Sequence, residues 1–199
     1  MTKVSNEQIF RVAQVVLAEK GFDQARLAEI ARRLNITAPA LYKHFSNKEE
    51  LYDAALQNWI DRIDAPVLEL AQRAAPEERL IKLHDWLWQL AENRVNGFLD
   101  KPAMARLYEA KLRKQETIVN PRMQAFAEGV ELMMAWDTFR QQRGLLILQT
   151  FLPFFHPYFA SSWEDALFKT LFESTWIEIQ PILTQDGVIE SAIEKNKNL

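Results

Sequence analysis

The chain of 199 residues contains no cysteine and only five glycines. Without cysteine it has no disulfide, no thiolate nucleophile and no sulfur ligand for zinc. Few glycines leave little material for phosphate-binding loops, and none of the motifs G-x-S-x-G, G-x-x-x-x-G-K and G-x-G-x-x-G occurs. No pair of histidines has the H-x-x-x-H spacing of a metal site, and the adjacent His84 and Asp85 should point in different directions on a helix. We therefore expect neither an enzyme nor a metal or cofactor site.

We also expect neither a signal peptide nor a membrane span. The first residues, MTKVSNEQIFRV, contain no apolar core of signal-peptide length, and the absence of cysteine fits a reducing compartment, so we expect a cytoplasmic protein. The segment from Gly144 to Trp163 carries no charged residue, but Pro153, His156 and Pro157 interrupt it. This segment predicts a buried interface helix followed by a loop.

The net charge of −3 is unevenly distributed. Residues 1–50 contain eight Lys or Arg and six Asp or Glu, a net charge of +2, which leaves −5 for the remainder. Between Gln24 and Lys48 there are five basic residues and one acidic residue. A local basic patch on an acidic protein indicates that a polyanion binds at the patch.

Apolar residues recur with helical spacing along nearly the whole chain, which predicts an all-α protein. The first helix should begin at a capping box of Ser5 and Gln8 and end near Gly21, where a left-handed residue is needed. A second capping pair, Asn47 and Glu50, predicts the start of the fourth helix. Pro66 should end or bend that helix. The later helices are predicted to begin near Pro76, Pro102, Asn120, Thr138 and Ser161, the last with Glu164 as a capping partner and with Pro181 after it.

Between the first and fourth helices, the sequence predicts two short helices joined by a tight turn. The first covers about Arg26 to Leu34, and Asn35 should adopt a positive φ in the turn. Thr37 is the expected N-cap of the second, with Pro39 in its first turn. With the first helix as support, this arrangement is a helix-turn-helix.

The outer face of the second short helix has the residue types of a recognition helix. Ala38, Pro39 and Ala40 are small enough for the backbone to approach base edges in the major groove. The side chains that can donate hydrogen bonds to phosphates are Tyr42, Lys43, His44 and Lys48. The free backbone amides at the start of the fourth helix, where Lys48 lies, can also bind a phosphate. Helix-turn-helix geometry also serves proteins that bind no DNA, so a helical protein-interaction module is the alternative. Salt titration distinguishes the two, since binding through several phosphates weakens steeply with salt.

The stretch GFDQARLAEIARRLNITAPALYKHFSNKEEL resembles the N-terminal domain of TetR-type transcriptional regulators. The matching features are the Ile30–Ala31 pair, the turn at Asn35, the sequence Leu41-Tyr42 followed by Phe45, and the start of the fourth helix at Lys48-Glu49 with Leu51. Asn35 replaces the usual glycine, and Arg26 replaces a small hydroxyl residue. The resemblance covers about a quarter of the chain.

The resemblance implies a DNA-binding domain at 1–48 and a helical ligand-binding and dimerisation domain at 49–199. It implies a homodimer through the last two long helices, and a near-palindromic operator with half-sites about 34 Å apart or a small multiple of that distance. The residues that it places on double-stranded DNA are Arg26, Thr37, Ala38, Pro39, Ala40, Tyr42, Lys43, His44 and Lys48.

The C-terminal domain of this family usually encloses a small molecule that shifts the spacing of the two DNA-binding domains. Aromatic and methionine side chains are the candidates for the wall of such a pocket, although the same residues at helical spacing are typical of an ordinary core. They are Trp88, Phe98, Met104, Tyr108, Met123, Phe126 and Phe151. The resemblance thus implies a ligand-responsive dimeric repressor that a small apolar or aromatic effector releases from its operator.

Overall fold

A computed structural model describes residues 4–114, 121–136 and 142–184. All the regular structure in these residues is helical, which confirms the predicted all-α class. The predicted helix starts at Asn120 and Thr138 lie outside the described residues. The α-helices are α1 (Asn6–Gln24), α2 (Leu27–Arg33), α3 (Ala38–Tyr42), α4 (Lys48–Leu70), α5 (Arg79–Asp100), α6 (Pro102–Leu112), α7 (Pro121–Met134), α8 (Gln142–Phe155) and α9 (Phe168–Thr184).

Contacts divide the chain into two units. Unit one consists of Met1–Pro66 and Asn93–Ile118, and unit two consists of Val67–Glu92 and Val119–Leu199. The predicted domains 1–48 and 49–199 were assigned by function, whereas these units follow packing. The structure adds α6 and the end of α5 to the unit that contains the helix-turn-helix.

The first helix begins as the sequence predicts, but it continues past the predicted end near Gly21 to Gln24. The Ser5 amide donates to Gln8 Oε1 at 2.9 Å, and the Gln8 amide donates to Ser5 Oγ at 3.3 Å, which completes the capping box. Gly21 interrupts the helix with φ 73° and ψ 168°, a region that is essentially restricted to glycine. After this kink the helix continues to Gln24, and the Ala25 amide donates to the Gly21 carbonyl at 3.2 Å.

In the core of unit one, α1 packs against α2 and α6, and α2 packs against α3. Ile9, Ala13 and Val16 form the buried face of α1, and Ile30 and Leu41 meet them from the helix-turn-helix. The Tyr52 hydroxyl donates to the Ala13 carbonyl at 3.0 Å, and burial raises its pKa to about 12. The support for α3 is therefore a fully buried apolar core.

Unit two is built around an aromatic core. Phe126, Phe151 and Phe172 are completely buried, and the rings of Phe151 and Phe172 lie 5.0 Å apart. Helices α7 and α8 approach closely at Gly144, where a Cβ atom would lie 2.4 Å from the Ala127 carbonyl oxygen. The Gly144 amide donates to the buried carboxylate of Glu131 at 3.0 Å. No helix in the described residues is both long and apolar enough to cross a bilayer.

Several predictions about helix ends were wrong. Pro181 lies inside α9 instead of ending it. Pro66 lies inside α4, so it does not end that helix, and the predicted alternative of a bend at Pro66 stays a prediction. Ser161 belongs to a 3₁₀ segment over 157–162, and α9 begins only at Phe168. The Leu167 amide donates to Asp165 Oδ1 at 2.7 Å, so the acidic side chain at the start of α9 is Asp165 and not Glu164.

Candidate nucleic-acid interface

The turn between α2 and α3 is fixed by backbone hydrogen bonds. Asn35 has φ 54°, in the left-handed region, as the sequence predicted. This conformation lets the Ile36 amide donate to the Ala31 carbonyl at 3.1 Å, which closes the end of α2. The Ala40 amide donates to Thr37 Oγ1 at 3.3 Å, so Thr37 caps α3. The turn sets the angle at which α3 leaves α2.

Helix α3 has one buried side and one solvent side. Leu41 is completely buried, and Phe45, which follows the helix, packs its ring 5.8 Å from that of Phe10. On the other side Pro39 and Lys43 are exposed, and Tyr42 is 53% exposed. Ala38 and Ala40 are half-buried. The outward surface is therefore a low ridge bordered by a hydroxyl and an ammonium group.

Two arginines of the basic patch are occupied by ion pairs. Glu29 accepts hydrogen bonds from Arg32 at 2.9 Å and from Arg33 at 2.8 Å, and Arg33 also pairs with Glu19. Hydrogen bonds from Arg32 and then Arg33 lower the pKa of Glu29 to about 2. The charge of Arg32 and Arg33 is therefore largely neutralised within the protein.

Two other basic residues of the helix-turn-helix, Arg26 and Lys43, are not paired in this way. Both side chains are exposed, and within the described residues neither makes a hydrogen bond or an ion pair. Arg26 occupies the N-cap position of α2 without capping it. Their charges are thus available to an external anion.

His44 and Lys48 face the protein as well as the solvent. His44 Nδ1 lies 3.1 Å from Asn6 Oδ1, and Lys48 Nζ donates to the Phe22 carbonyl at 2.9 Å. The Lys48 ammonium also lies 4.4 Å from the centre of the Phe22 ring. The structure therefore gives both residues a role in holding α1 against the helix-turn-helix, and their predicted contact with DNA remains a prediction.

Sequence reasoning missed three parts of this surface. Glu29 neutralises charge on Arg32 and Arg33. Its spacing of three and four residues from these arginines is the local signal that could have predicted the pairing. The contacts of Asn6 with His44 and of Phe22 with Lys48 join residues 38 and 26 positions apart. No local pattern indicates contacts at that separation.

The seven residues predicted to line an effector pocket are divided between the two units. Phe98, Met104 and Tyr108 belong to unit one, where the rings of Phe98 and Trp59 stack at 5.0 Å. In unit two, Phe126 and Phe151 are completely buried in the core, and Trp88 and Met123 are partly buried against it. Each packs like a core residue, and the assignment to a pocket stays a prediction.

Another prediction about a side chain was wrong. His84 and Asp85 do meet, with His84 Nδ1 2.9 Å from Asp85 Oδ1. His84 Nε2 also lies 3.1 Å from Glu173 Oε2, and its ring packs 5.2 Å from that of Trp176. The expected divergence of these two adjacent helical residues therefore does not occur.

Residues 9–55 match the model of a family described as bacterial regulatory proteins, tetR family. The HTH-type transcriptional activator FasR of Mycolicibacterium smegmatis is 38% identical over 72 residues, which are 36% of this chain and 32% of FasR. The tetracycline repressor protein class G of Vibrio anguillarum is 33% identical over 96 residues, 48% of this chain and 40% of the repressor. The matched segments thus span 32% and 40% of the lengths of these two relatives.

Solved structures extend the similarity in fold to most of the chain. A TetR-family regulator from Streptomyces coelicolor A3 superposes with a TM-score of 0.59 at 18% identity, covering 90% of this chain and 94% of the other. A TetR variant from Acinetobacter baumannii AYE in complex with minocycline gives 0.58 at 18% identity, covering 92% and 100%. The predicted arrangement, a helix-turn-helix domain followed by a helical domain, is confirmed.

Proposed function

We propose that this protein, whose N-terminal domain belongs to the tetR family of bacterial regulatory proteins, is a DNA-binding transcriptional regulator rather than an enzyme. It acts in the cytoplasm, as a homodimer, on a near-palindromic operator. The observation that carries the proposal is the outward face of α3, where Tyr42 and Lys43 border a ridge of small residues.

The ridge has the shape and charge that a recognition helix needs. Ala38, Pro39 and Ala40 project little, so the backbone of α3 can approach base edges in a major groove about 12 Å wide. Tyr42 and Lys43 donate to phosphates, which fixes the register of the helix on the duplex. Thr37 and Arg26 lie at the N-terminal ends of α3 and α2, where a phosphate adds to the contacts.

The homodimer is proposed from the surfaces of α8 and α9. Three large apolar side chains on these helices are exposed to solvent: Leu146 of α8 is 53% exposed, and Leu171 and Ile182 of α9 are 55% and 49% exposed. Beyond Gly144, α8 carries no charged residue. Association of two copies through these helices would cover apolar surface that a monomer exposes to water. A two-fold symmetric dimer presents two copies of α3, which explains an operator with two half-sites.

Control by a small apolar or aromatic effector, with repression as the sign of control, is the finer part of the proposal. It is supported by relatives named tetracycline repressors and by the similar fold of a TetR variant bound to minocycline. FasR is named an activator, so the sign is decided by experiment. An effector shifts operator binding only if it binds one conformation of the protein more tightly than the other.

Selection from random duplex DNA tests the proposal. Purified protein is incubated with a library of randomised 30-base-pair duplexes, and retained DNA is sequenced over successive rounds. We expect enrichment of an inverted repeat with half-site centres about one helical turn, or a small multiple, apart. If the library stays random after selection, and the protein retains no DNA in a salt-dependent way, the result would instead favour a protein-interaction module.

A further inference from the structure

Unit one contains a cavity of about 330 Å³ that the predicted effector pocket does not include. It is formed by α1, α4 and the end of α5 with Lys101. Its volume lies at the small end of the range of ligand sites, about 300–1,000 Å³, and suits a molecule of one or two rings. None of the seven residues predicted to line a pocket lies on its wall.

Part of the lining of the cavity is apolar. Phe10 of α1 and Trp59 of α4 contribute to it and are only 8% and 5% exposed, so both rings are held in place by packing. Ile63, one turn after Trp59, continues this surface. Trp59 is itself stacked on Phe98, which fixes the orientation of the indole. An aromatic ring placed here contacts rigid apolar groups and loses little free energy to reorganisation of the protein.

The charged part of the lining, here called the rim, has an excess of cations. Arg11, Arg62 and Lys101 line it together with Glu7 and Asp100, so three positive charges face two negative charges. Lys101 Nζ donates to Gln14 Oε1 at 2.8 Å, which joins the end of α5 to α1. An anionic group on the ligand therefore gains more from this rim than a cationic group does.

The two arginines retain donors for such an anion. Glu7 accepts a hydrogen bond from Arg62 Nη2 at 3.0 Å and lies 3.9 Å from Arg11 Nη2, and the hydrogen bond from Arg62 lowers the pKa of Glu7. A guanidinium carries five N–H donors, and one carboxylate shared by two guanidiniums leaves most of them to solvent. A second carboxylate can therefore bind Arg62 without displacing Glu7.

We propose that this cavity binds a small aromatic carboxylate, with the ring against Phe10, Trp59 and Ile63 and the carboxylate on Arg62 and Arg11. The site is separate from the face of α3 and needs no DNA. Its existence is thus independent of the proposed regulatory function, and either can fail without the other.

The test is isothermal titration calorimetry, in which 2-naphthoate is titrated into the 199-residue protein and the heat of binding is measured. We expect saturable binding of one naphthoate per chain, and affinity at least tenfold lower for its neutral analogue 2-naphthamide. Arg62→Met should weaken naphthoate at least tenfold; the side chain is 61% exposed, so the fold should tolerate the change. Arg106→Met, on the exposed side of α6 and outside the cavity, is the matched control and should bind naphthoate as the unmodified protein does.

Three results would overturn the proposal. One is the absence of saturable naphthoate binding up to millimolar concentration. Another is equal binding of the acid and the amide, which would remove the role of the cationic rim. The third is an Arg62→Met variant that unfolds at the same temperature as the unmodified protein and binds naphthoate equally well. Arg11→Met provides a second variant and should likewise weaken naphthoate binding, since Arg11 also lines the cavity.

Discussion

At the scale of single residues, the most strongly buried charges in the described structure are Asp64 and Arg94. They are 0% and 4% exposed, and the guanidinium donates two hydrogen bonds to the carboxylate, at 2.6 and 2.8 Å. Arg94 also lies over the Phe98 ring, 5.6 Å from its centre. A buried pair of this kind tolerates the loss of one partner poorly, because the other charge then stays buried without compensation.

Asp64→Asn should therefore lower the free energy of unfolding by about 3–5 kcal/mol. Urea denaturation followed by circular dichroism measures the change. The control is Glu78→Gln, which breaks an exposed ion pair with Lys82 and should cost less than about 1 kcal/mol. Equal effects of the two substitutions would show that the buried pair adds nothing beyond a surface pair.

Glu29 links the stability of the helix-turn-helix to pH. Its pKa is lowered from 4.5 to about 2 because Arg32 and Arg33 donate hydrogen bonds to its ionised form. A carboxylate whose pKa is lower in the folded than in the unfolded protein stabilises the fold above the unfolded pKa. That contribution is lost as the pH falls through the interval from 4.5 toward 2.

Glu29→Gln tests this linkage. The stability difference between the unmodified protein and the variant should be constant from pH 6 to pH 8 and should narrow as the pH falls below about 5. Chemical denaturation at a series of pH values measures it. A difference that stays constant down to pH 3 would mean that Glu29 is not held ionised by its arginines.

At the scale of elements, local sequence signals predicted the helix-turn-helix well. The capping box at Ser5, the positive φ at Asn35 and the cap at Thr37 all occur where the sequence placed them. Each of these features depends on residues within about four positions, so the sequence contains the information that decides them.

Signals that depend on distant packing were less reliable. Pro181 was expected to follow the end of a helix, and Pro66 to end or bend one, but α9 and α4 both continue past these prolines. The Ser161 signal failed because the 157–162 segment forms a 3₁₀ helix, with the Trp163 indole donating to the Pro153 carbonyl at 2.9 Å. Such contacts cannot be read from a local window.

The kink in α1 gives a prediction about an element. Gly21→Ala should destabilise the protein by about 1–3 kcal/mol, because φ 73° with ψ 168° strains any residue that has a Cβ. No steric clash contributes, since a Cβ at this position has no neighbour within 4 Å. Thermal unfolding measures the effect. Asn35→Gly is the comparison and should be neutral or mildly stabilising, as the left-handed region there suits glycine at least as well as asparagine.

At the scale of the whole molecule, the class of fold and the position of the helix-turn-helix were predictable, but the division of the packing was not. The assignment of α6 to unit one depends on contacts such as that of Lys111 with Asp53, at 2.5 Å, between residues far apart in the sequence. The cavity at Phe10 and Trp59 was equally unpredictable from the sequence, because its walls come from three separate helices. Its residues carry no motif that marks them as a group.

The proposed dimer gives a prediction at this scale. Leu171→Glu places a charge among the exposed apolar residues of α9 and should shift the protein from dimer to monomer in analytical ultracentrifugation. Ile81→Glu, on α5, is the control because Ile81 is as exposed as Leu171 and lies on neither α8 nor α9. A Leu171→Glu protein that remains dimeric at micromolar concentration would place the interface elsewhere.

The central claim is that the outward face of α3 binds duplex DNA, and fluorescence anisotropy over a series of salt concentrations tests it most directly. The measurement uses the duplex obtained by selection and compares the unmodified protein with Lys43→Ala. We predict that log K falls linearly with log salt, and that Lys43→Ala reduces the slope by about 1 and weakens binding by roughly 1 kcal/mol, with no change in thermal stability. Equal affinity and equal slope for the two proteins would contradict the claim.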